Sequence, residues 1–450
     1  MSSKQAKVGR HIPSRPLFAY SYLLTPVLVT PGITAQEYAD RRANLAYSLP
    51  ENGVAILPAA DLKYRSGAVF YAYRQESNFL YLTGFLEEDS VAVIRRTGPS
   101  HGDYAFHLFC RPKDPKAEQW SGPRSGLEAA TDVFNADEAF DIASLPSSLP
   151  SLLRSATTIY ADLDPSNSHT PAIRTALPST ARPPLPIQPL VNPLRAIKSP
   201  AETAVMRHAG RISGRAITSA MRRAWTLEKD LNAFLTHEFT QHGLDGPAYV
   251  PVIAGGTRGL MIHYVHNTAT LTPGSTVLVD AGGEYGSYIT DITRTWPVSG
   301  RFSGPQRDLY SAVLTVQRDC VSLCRANTGF SLDAIHRAAE DGLRKELTAL
   351  GFDLTSGGRS LDTLFPHHVG HYVGLDVHDV PGYGRSCALR KGHCVTVEPG
   401  VYVPDDERWP KHFRGLAVRI EDSVCVDEEG PVVLTTEAVK EVVDIEALRD

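Results

Sequence analysis

The sequence lacks the features of several protein classes. It has no apolar run of the roughly 18–20 residues that a membrane-spanning helix needs, so we expect no transmembrane segment. It has only six cysteines and no CxxC pair, which argues against a disulfide framework and a zinc ribbon. It also lacks a basic excess, with 45 Lys and Arg against 50 Asp and Glu, so the charge predicts no nucleic-acid partner.

The composition that remains is that of a globular protein. Hydrophobic residues form 42% and charged residues 21% of 450 positions, which favours two or three folded domains over disorder. The 16 histidines are spread unevenly, because five of them fall between His367 and His393. Such crowding marks that stretch for closer inspection.

The N-terminus is basic and poor in acidic residues. The first acidic residue is Glu37, and several Arg, Lys and Ser precede it, as in organellar targeting peptides. Four prolines interrupt any amphipathic helix there, so an untargeted tail is the alternative. We therefore assign residues 1–30 to a basic tail or a targeting segment.

A mixed α/β domain is predicted next. A helix is expected over residues 34–42, and five short apolar runs suggest strands: 54–57, 68–71, 79–82, 91–94 and 104–109. Eleven prolines lie between positions 146 and 200, a density that ends regular elements. We place the domain junction near residue 190, giving domains at 31–190 and 191–450.

The second domain opens with a helix signal. Ser199 can cap the helix, Pro200 suits its first position, and Glu202 completes a capping box. Further helices are expected over 228–241 and 304–326, with β-rich stretches from residue 275 onward. This order predicts an α+β fold in which helices pack on one face of a curved, largely antiparallel sheet.

Two aspartates flank a predicted hairpin. Asp280 ends an apolar strand over 275–280, and Asp291 lies on the return strand over 287–295. On paired strands the two carboxylates would lie close enough to share an ion. Either aspartate alone could equally end a strand or face water.

Two histidines stand in a glycine-flanked stretch, 367–379. His371 and His378 are separated by an apolar run, and Gly370 and Gly374 permit close backbone approach. A single histidine would more often be a packed or surface residue, but several here indicate a site.

Two glutamates stand among β-forming residues. Glu398 precedes a Pro-Gly break, and Glu421 follows a strand-like run. Since a buried unpaired carboxylate costs several kcal/mol, each needs a partner. A pairing of Arg419 with Glu421 would serve one of them and leave Glu398 unexplained.

These side chains together form a donor set of four carboxylates and one imidazole. Such ligands suit Mn²⁺, Mg²⁺, Fe²⁺ or Co²⁺ better than a thiolate-binding metal. Two divalent ions would offset the repulsion among the carboxylates and could activate a shared water. We expect two ions of this kind and metal-assisted hydrolysis of a carbonyl compound.

The order of these residues resembles the dinuclear site of the pita-bread metallopeptidases, which include methionine aminopeptidase, prolidase and aminopeptidase P. Three stretches resemble the aminopeptidase P branch: 370–379 (GHYVGLDVHD), 397–400 (VEPG) and 419–422 (RIED). Upstream, residues 73–85 (YRQESNFLYLTGF) resemble its non-catalytic N-terminal domain, and residues 30–38 (TPGITAQEY) its mitochondrial members. The resemblance implies a homodimer and a mitochondrial location, with a cytoplasmic one as the alternative.

The resemblance also implies a role for each site residue. Asp280 would bind one ion, Asp291 and Glu421 would bridge both, and His371 and Glu398 would complete the second. Glu398 would also handle the proton of the water, and His378 would approach the scissile amide. His263 would hold the carbonyl region of the substrate, while His367 and Arg419 would line its pocket or form structural hydrogen bonds.

The expected function is a metallo-aminopeptidase that releases one N-terminal residue. Its substrates would be Xaa-Pro peptides or processed mitochondrial protein N-termini. The alternatives are a prolidase-type dipeptidase and a pita-bread protein that binds peptides without cleaving them.

Overall fold

The computed structural model of the protein describes residues 28–178, 182–354 and 360–449. The chain divides into two compact units, Met1–Arg195 and Ala196–Asp450. Most of the predicted tail, residues 1–27, lies outside the described residues. Within the described part of the chain, no helix is both long enough and apolar enough to span a membrane.

The first unit alternates short strands and helices. Its elements are β1 (Leu28–Thr30), β2 (Ile33–Thr34), α1 (Ala35–Ser48), β3 (Gly53–Pro58), β4 (Tyr64–Ser66), β5 (Val69–Phe70), α2 (Ser77–Thr83), β6 (Val91–Arg96), β7 (Tyr104–Cys110), α3 (Pro115–Ser121), α4 (Gly126–Asp132), β8 (Glu138–Asp141), α5 (Leu145–Leu153), β9 (Thr158–Tyr160), α6 (Thr170–Ala176) and α7 (Gln188–Ala196).

A five-stranded mixed sheet organises this unit. Its strand order is β8-β7-β6-β3-β9, with antiparallel pairing in the centre and parallel pairing at both edges. Apolar side chains of β3 and β6 pack against α5 and α6 in one buried cluster. The predicted mixed α/β character of this region is confirmed.

Two of the predicted strands are wrong or displaced. Residues 79–82 lie in helix α2, which Glu76 caps by accepting from the backbone N–H of Phe79 and which ends at Gly84 in the left-handed conformation. Residues 69–70 form a two-stranded hairpin with β4 outside the main sheet. Both runs are apolar, and apolar content alone does not distinguish a strand from a buried helix.

The second unit contains longer helices and short antiparallel strands. Its elements are α8 (Pro200–Met221), α9 (Glu228–Gln241), β10 (Gly246–Pro247), β11 (Val252–Gly255), β12 (Thr276–Asp280), β13 (Gly283–Tyr285), β14 (Tyr288–Ile289), β15 (Thr293–Pro297), α10 (Gly304–Ser322), α11 (Leu332–Ala349), α12 (Ser360–Leu364), β16 (Cys394–Val397), β17 (Gly400–Tyr402), β18 (Ala417–Arg419), β19 (Asp422–Val426), β20 (Pro431–Val433) and α13 (Val442–Ala447).

The helix predictions hold in this unit. The capping box of α8 is present, since Ser199 accepts from the backbone of Glu202 and the Glu202 side chain accepts from Ser199. Helix α9 has the predicted bounds, whereas α10 ends at Ser322, four residues before the predicted end.

Antiparallel ladders carry the site of interest. Strands β11, β12 and β15 form one sheet, β16, β19 and β20 a second, and β17 pairs with β18. Side chains from α8–α11 share a single hydrophobic core with these strands. The expected α+β class is thereby confirmed.

The predicted hairpin differs from the structure in its register. Asp280 pairs with Thr293, and Asp291 lies in the segment between β14 and β15, not on a strand. The return strand is interrupted because β14 pairs with β13, while β15 pairs with β12. The prediction that both aspartates occupy paired strands is therefore wrong for Asp291.

Candidate metal centre

The two aspartates nevertheless meet at one hydroxyl group. The Tyr249 hydroxyl lies 2.7 Å from Oδ1 of Asp280 and 2.6 Å from Oδ1 of Asp291. Because it has a single proton, it cannot donate fully to both carboxylates at once. Burial and the two neighbouring carboxylates raise the pKa of Tyr249 well above its usual value, so the phenol stays protonated.

Three further residues bring ligand atoms together in the same place. One side-chain ligand atom each of Asp291, His371 and Glu421 lie within 4.8 Å of one another. Nε2 of His371 is 3.5 Å from a carboxylate oxygen of Asp291 and 3.5 Å from one of Glu398. The five residues predicted as ligands therefore form one connected cluster.

His371 is held in an orientation suited to ligation. Its Nδ1 lies 3.0 Å from the carbonyl oxygen of Tyr372, which can only accept a hydrogen bond, so Nδ1 carries a proton. Although burial opposes it, the hydrogen bond to Asp291 and the charge of Glu398 raise the pKa of His371 to about 9. Nε2 therefore carries a proton towards the carboxylates in the metal-free protein, and a bound ion would take the place of that proton.

The backbone beside His371 approaches the neighbouring strand closely. A Cβ atom at Gly370 would lie 2.0 Å from the carbonyl oxygen of Thr396. The backbone N–H of His371 donates to Oγ1 of Thr396, which lies two residues before Glu398. The predicted role of this glycine in close packing is confirmed.

Glu398 immediately follows β16 and is almost enclosed. Burial, together with the charges of Asp291 and Asp280, raises its pKa to about 7, although His371 and Arg419 act in the opposite direction. A carboxyl group with this pKa can accept and release a proton near neutral pH.

Glu421 lies in the turn between β18 and β19 and is buried. Its Oε2 accepts a hydrogen bond of 2.6 Å from Oγ1 of Thr293. Burial and three neighbouring carboxylates raise its pKa well above the usual value. A divalent cation would relieve this crowding of negative charge, so the donor set fits such ions.

Arg419 lies beside the cluster, but its ion-pair partner differs from the one that the sequence suggested. Its guanidinium forms an ion pair of 2.6 Å with Asp280, not with Glu421. It also donates to the hydroxyl groups of Thr293 and Tyr402, each at 2.9 Å. The guanidinium therefore orients one predicted ligand directly and Glu421 through Thr293.

His367 reaches the same network through Tyr402. Its Nε2 is 2.9 Å from the Tyr402 hydroxyl, and its Nδ1 is 2.9 Å from the carbonyl oxygen of His368. Burial, and then the charge of Arg419, lower the pKa of His367 to about 3, so the ring is neutral.

The remaining predicted histidines lie at the exposed side. The ring of His378 is 4.4 Å from that of His371, with the two planes nearly perpendicular. Burial, followed by the charge of His371, lowers the pKa of His378. His263 is also exposed and is close enough to contribute to the lowered pKa values of His367 and His378.

Two buried ion pairs brace the segments that hold the cluster. Lys198 contacts Asp379 at 2.7 Å and links the start of α8 to the segment carrying His371 and His378. Asp422, next to Glu421, contacts Arg294 at 2.7 Å and Lys440 at 2.6 Å. Although burial opposes ionisation, these two cations hold the pKa of Asp422 well below its usual value.

Sequence inspection missed three residues of the network. Tyr249, Thr293 and Tyr402 bond to predicted ligands or to Arg419. Tyr402 stands four residues after Glu398, close enough to suggest an association. Tyr249 lies 31 residues before Asp280 and has no spacing signal that could have indicated it.

Two family models match the chain. The model described as "Metallopeptidase family M24" matches residues 204–428, a range that contains all five clustered ligand positions. The model described as "Aminopeptidase P, N-terminal domain" matches residues 38–160.

Curated relatives match over nearly the whole chain. Intermediate cleaving peptidase 55 of Saccharomyces cerevisiae is 42% identical, covering 94% of this chain and 86% of its own. Xaa-Pro aminopeptidase 3 of Homo sapiens is 37% identical, covering 99% and 93%. The protein of Arabidopsis thaliana named "Intermediate cleaving peptidase 55, mitochondrial" is 33% identical, covering 98% and 87%.

Solved structures agree with the fold. The crystal structure of Icp55 from Saccharomyces cerevisiae matches with a TM-score of 0.88 and 41% identity, covering 94% of this chain and 98% of that one. Zn-substituted E. coli aminopeptidase P in complex with product matches with a TM-score of 0.86 and 34% identity, covering 92% and 98%.

Proposed function

The chain belongs to metallopeptidase family M24, and from this premise we propose that it is a metal-dependent aminopeptidase that releases one N-terminal residue. Residues 31–190 would form the aminopeptidase P-like N-terminal domain and residues 191–450 the pita-bread catalytic domain. The observation that carries the proposal is the cluster of carboxylates around His371, whose Nδ1 is held by a backbone carbonyl so that Nε2 faces the carboxylates.

Five residues would hold two divalent ions, with Mn²⁺ as the expected metal: Asp280, Asp291, His371, Glu398 and Glu421. When bound, the ions would supply Lewis acidity that polarises the scissile carbonyl and lowers the pKa of a water. Asp291 and Glu421 would each serve both ions, a role that the family resemblance implies; in support, one ligand atom of each lies within 4.8 Å of one of His371.

The protein's own side chains would move the protons. Glu398 would take a proton from the attacking water as the oxygen adds to the carbonyl carbon. His378 would then support transfer of a proton to the departing amine nitrogen as the C–N bond breaks. His263, His367 and Arg419 would contact the substrate or orient the groups that do.

The substrates we propose are Xaa-Pro peptides or processed mitochondrial protein N-termini. Support comes from the names of the relatives, which include an intermediate cleaving peptidase and an Xaa-Pro aminopeptidase. A prolidase-type dipeptidase is the rival activity, and a non-catalytic binding protein is the rival class.

A peptide ladder separates these activities. Purified Mn²⁺-loaded protein is incubated with Xaa-Pro dipeptides, with longer Xaa-Pro peptides, and with peptides lacking proline at the second position. We expect mass spectrometry to show one residue removed from the longer peptides. Cleavage confined to dipeptides would instead identify a dipeptidase, and comparison of the two longer series shows whether proline is required.

The metal requirement is tested in the same protein. We expect two Mn²⁺ per chain, and an Asp291→Ala variant with activity lower by about 10³-fold or more, because several kcal/mol of transition-state stabilisation depend on bound metal. Asp308→Ala, on the exposed side of α10, is the matched control and should keep wild-type activity. An Asp291→Ala variant that is folded by circular dichroism and fully active would refute the metal mechanism.

We propose a mitochondrial location, with the cytoplasm as the alternative. The basic, acid-poor start of the chain and the name of the plant relative support it. Fusing residues 1–30 to a fluorescent reporter tests the proposal, since reporter retained in the cytoplasm would argue against a targeting segment.

We also propose that the protein forms a homodimer. The β4–β5 hairpin presents several exposed apolar side chains, with Tyr64 at 58%, Val69 at 58% and Phe70 at 62% exposure. Clustered apolar groups of this kind commonly mark a protein–protein contact.

A further inference from the structure

Two cysteines lie directly opposite each other on neighbouring strands. Cys394 begins β16 and Cys425 lies near the end of β19, and the two are partners in the antiparallel ladder. Both side chains are buried, with 0% and 6% of their surface exposed. This juxtaposition brings two thiols together at positions 31 residues apart in the sequence.

The ladder pattern identifies the kind of pair that they form. The backbone N–H of Val426 donates to the carbonyl oxygen of His393 at 2.8 Å, one position away from the cysteines. Hydrogen-bonded and non-hydrogen-bonded pairs alternate along an antiparallel ladder, so Cys394 and Cys425 form a non-hydrogen-bonded pair. Cα atoms in such pairs are about 4.5 Å apart, inside the range of about 4.4–6.8 Å that a disulfide spans.

The surroundings give the two thiols different reactivity. A hydrogen bond from the Cys394 thiol lowers the pKa of Cys425 and raises that of Cys394. The Thr203 hydroxyl lies 3.8 Å from Sγ of Cys425, and the buried ammonium of Lys198 also favours the thiolate. Cys425 therefore has the character of an attacking thiolate and Cys394 that of its resolving partner.

We propose that Cys394 and Cys425 are a modification site that a peroxide converts to a reversible intrachain disulfide. The sulfur of Cys425 attacks one oxygen of hydrogen peroxide, the O–O bond breaks, and hydroxide leaves as water after taking up a proton. The sulfur of Cys394 then attacks the resulting sulfenic acid, the S–O bond breaks, and a second water leaves. Two thiols lose two electrons in total, and one peroxide is reduced to two waters.

The site is placed where a cross-link would affect the candidate metal centre. Cys394 precedes Glu398 by four residues, and Cys425 follows Glu421 by four. The bridge would close a loop that contains both glutamates and would fix the ladder from which they project. The burial of both thiols restricts the reaction to small oxidants.

The other cysteines do not share this arrangement. Cys320 and Cys324 lie four residues apart at the end of α10, and burial raises the pKa of each to about 12. Cys387 is exposed and would react with thiol reagents by itself. Cys320 and Cys324 therefore provide a matched control pair, and Cys387 is best removed from the test protein.

The test uses the full-length Cys387→Ser protein, which retains five of the six cysteines. It is treated with hydrogen peroxide, alkylated under denaturing conditions, digested and analysed by mass spectrometry. We expect two of the five thiols to be lost, a cross-linked peptide pair containing Cys394 and Cys425, and recovery of both thiols with dithiothreitol. The same result is expected after Cys320→Ser, whereas Cys394→Ser should instead accumulate a Cys425 sulfenic acid that dimedone traps.

Two results would overturn the proposal. One is the survival of all five thiols at peroxide concentrations that oxidise a reference low-pKa thiol. The other is a Cys425 sulfenic acid in the presence of Cys394 without any cross-linked peptide. Neither measurement depends on peptidase activity, so failure here is distinguishable from failure of the proposed function, and the Cys387→Ser protein decides the matter even if other variants misfold.

Discussion

At the scale of single residues, Tyr249 contacts two of the predicted metal ligands through one hydroxyl group. One phenol joins the carboxylate at the end of β12 to the carboxylate in the interruption between β14 and β15, and its raised pKa keeps it a donor. Groups that orient metal ligands commonly change metal affinity by 10–100-fold when they are removed.

We therefore expect Tyr249→Phe to bind Mn²⁺ about 10–100-fold more weakly than the wild type, because its two aspartates lose their common donor. Competition with a fluorescent chelator measures the dissociation constant. Tyr310→Phe is the matched control, since Tyr310 is buried and donates to the carbonyl oxygen of Lys440 away from the ligands. Equal affinities in all three proteins would contradict the assigned role.

The ligand pKa values predict how metal binding depends on pH. In chelator-treated protein, burial raises the pKa of Glu398 to about 7 and that of Asp280 to about 6, while Asp291 and Glu398 raise that of His371 to about 9 despite its burial. Metal binding must displace the protons that these groups carry. His371 is already protonated below pH 9 and the carboxyl groups become so near pH 7 and 6, so as pH falls the affinity for Mn²⁺ should drop about tenfold per pH unit for each proton released.

Titration calorimetry between pH 5.5 and 8 checks this dependence. Asp406→Asn, which changes a half-buried carboxylate paired with Arg408, should show the same slope as the wild type. An affinity that does not vary across this range would mean that the metal ligands are already deprotonated.

At the scale of elements, the ladder between the His371 segment and β16 leaves no room for a side chain at Gly370. We expect Gly370→Ala to lower the free energy of unfolding by about 1–3 kcal/mol, because its methyl group would meet the carbonyl oxygen of Thr396. The displaced backbone would also move His371 and weaken Mn²⁺ binding.

Urea unfolding of the metal-free protein measures the stability change. Gly304→Ala is the control, because a Cβ atom at Gly304 meets no heavy atom within 4 Å among the described residues. Equal unfolding midpoints for Gly370→Ala and the wild type would show that the strand can yield at this point.

The start of α8, which has a local sequence signal, was predicted correctly, whereas the interruption at Asp291, which depends on strand pairing, was not. The start of α8 follows from Ser199, Pro200 and Glu202, which act within one turn. The return strand is interrupted at Asp291 because its first part, β14, pairs with β13 and its second part, β15, pairs with β12. Helix α2 has an apolar run that resembles a strand, and only its capping residues reveal its true form.

The residues of the candidate site were easier to predict from the sequence than the contacts that orient them. Residue type and order indicated the five side chains that the structure brings into one connected cluster, since charged groups within apolar strands are conspicuous. The partner of Arg419 was not indicated, because Asp280 is 139 residues away and only the folded sheets bring them together.

At the scale of the whole molecule, we expect the exposed β4–β5 hairpin to form the contact of the proposed homodimer. We expect Phe70→Ser to weaken the homodimer by about 30-fold, because a central apolar anchor contributes about 2 kcal/mol to an interface. Sedimentation velocity over a concentration series measures the dissociation constant. Val443→Ser, which changes a side chain 72% exposed on α13, should leave the dimer intact.

A wild-type protein that sediments as a monomer at every concentration would refute the dimer itself. A dimer that Phe70→Ser leaves unchanged would refute the hairpin as its contact.

The pairing of Asp422 with Arg294 and Lys440 has a consequence for folding during synthesis. Domains fold from the N-terminal end as a chain leaves the ribosome, so the first unit can form early. Asp422, which follows Glu421, cannot pair with both Arg294 and Lys440 until Lys440 has emerged. A nascent chain that stops before Lys440 therefore lacks one of the two cations that hold the segment of Glu421 in place.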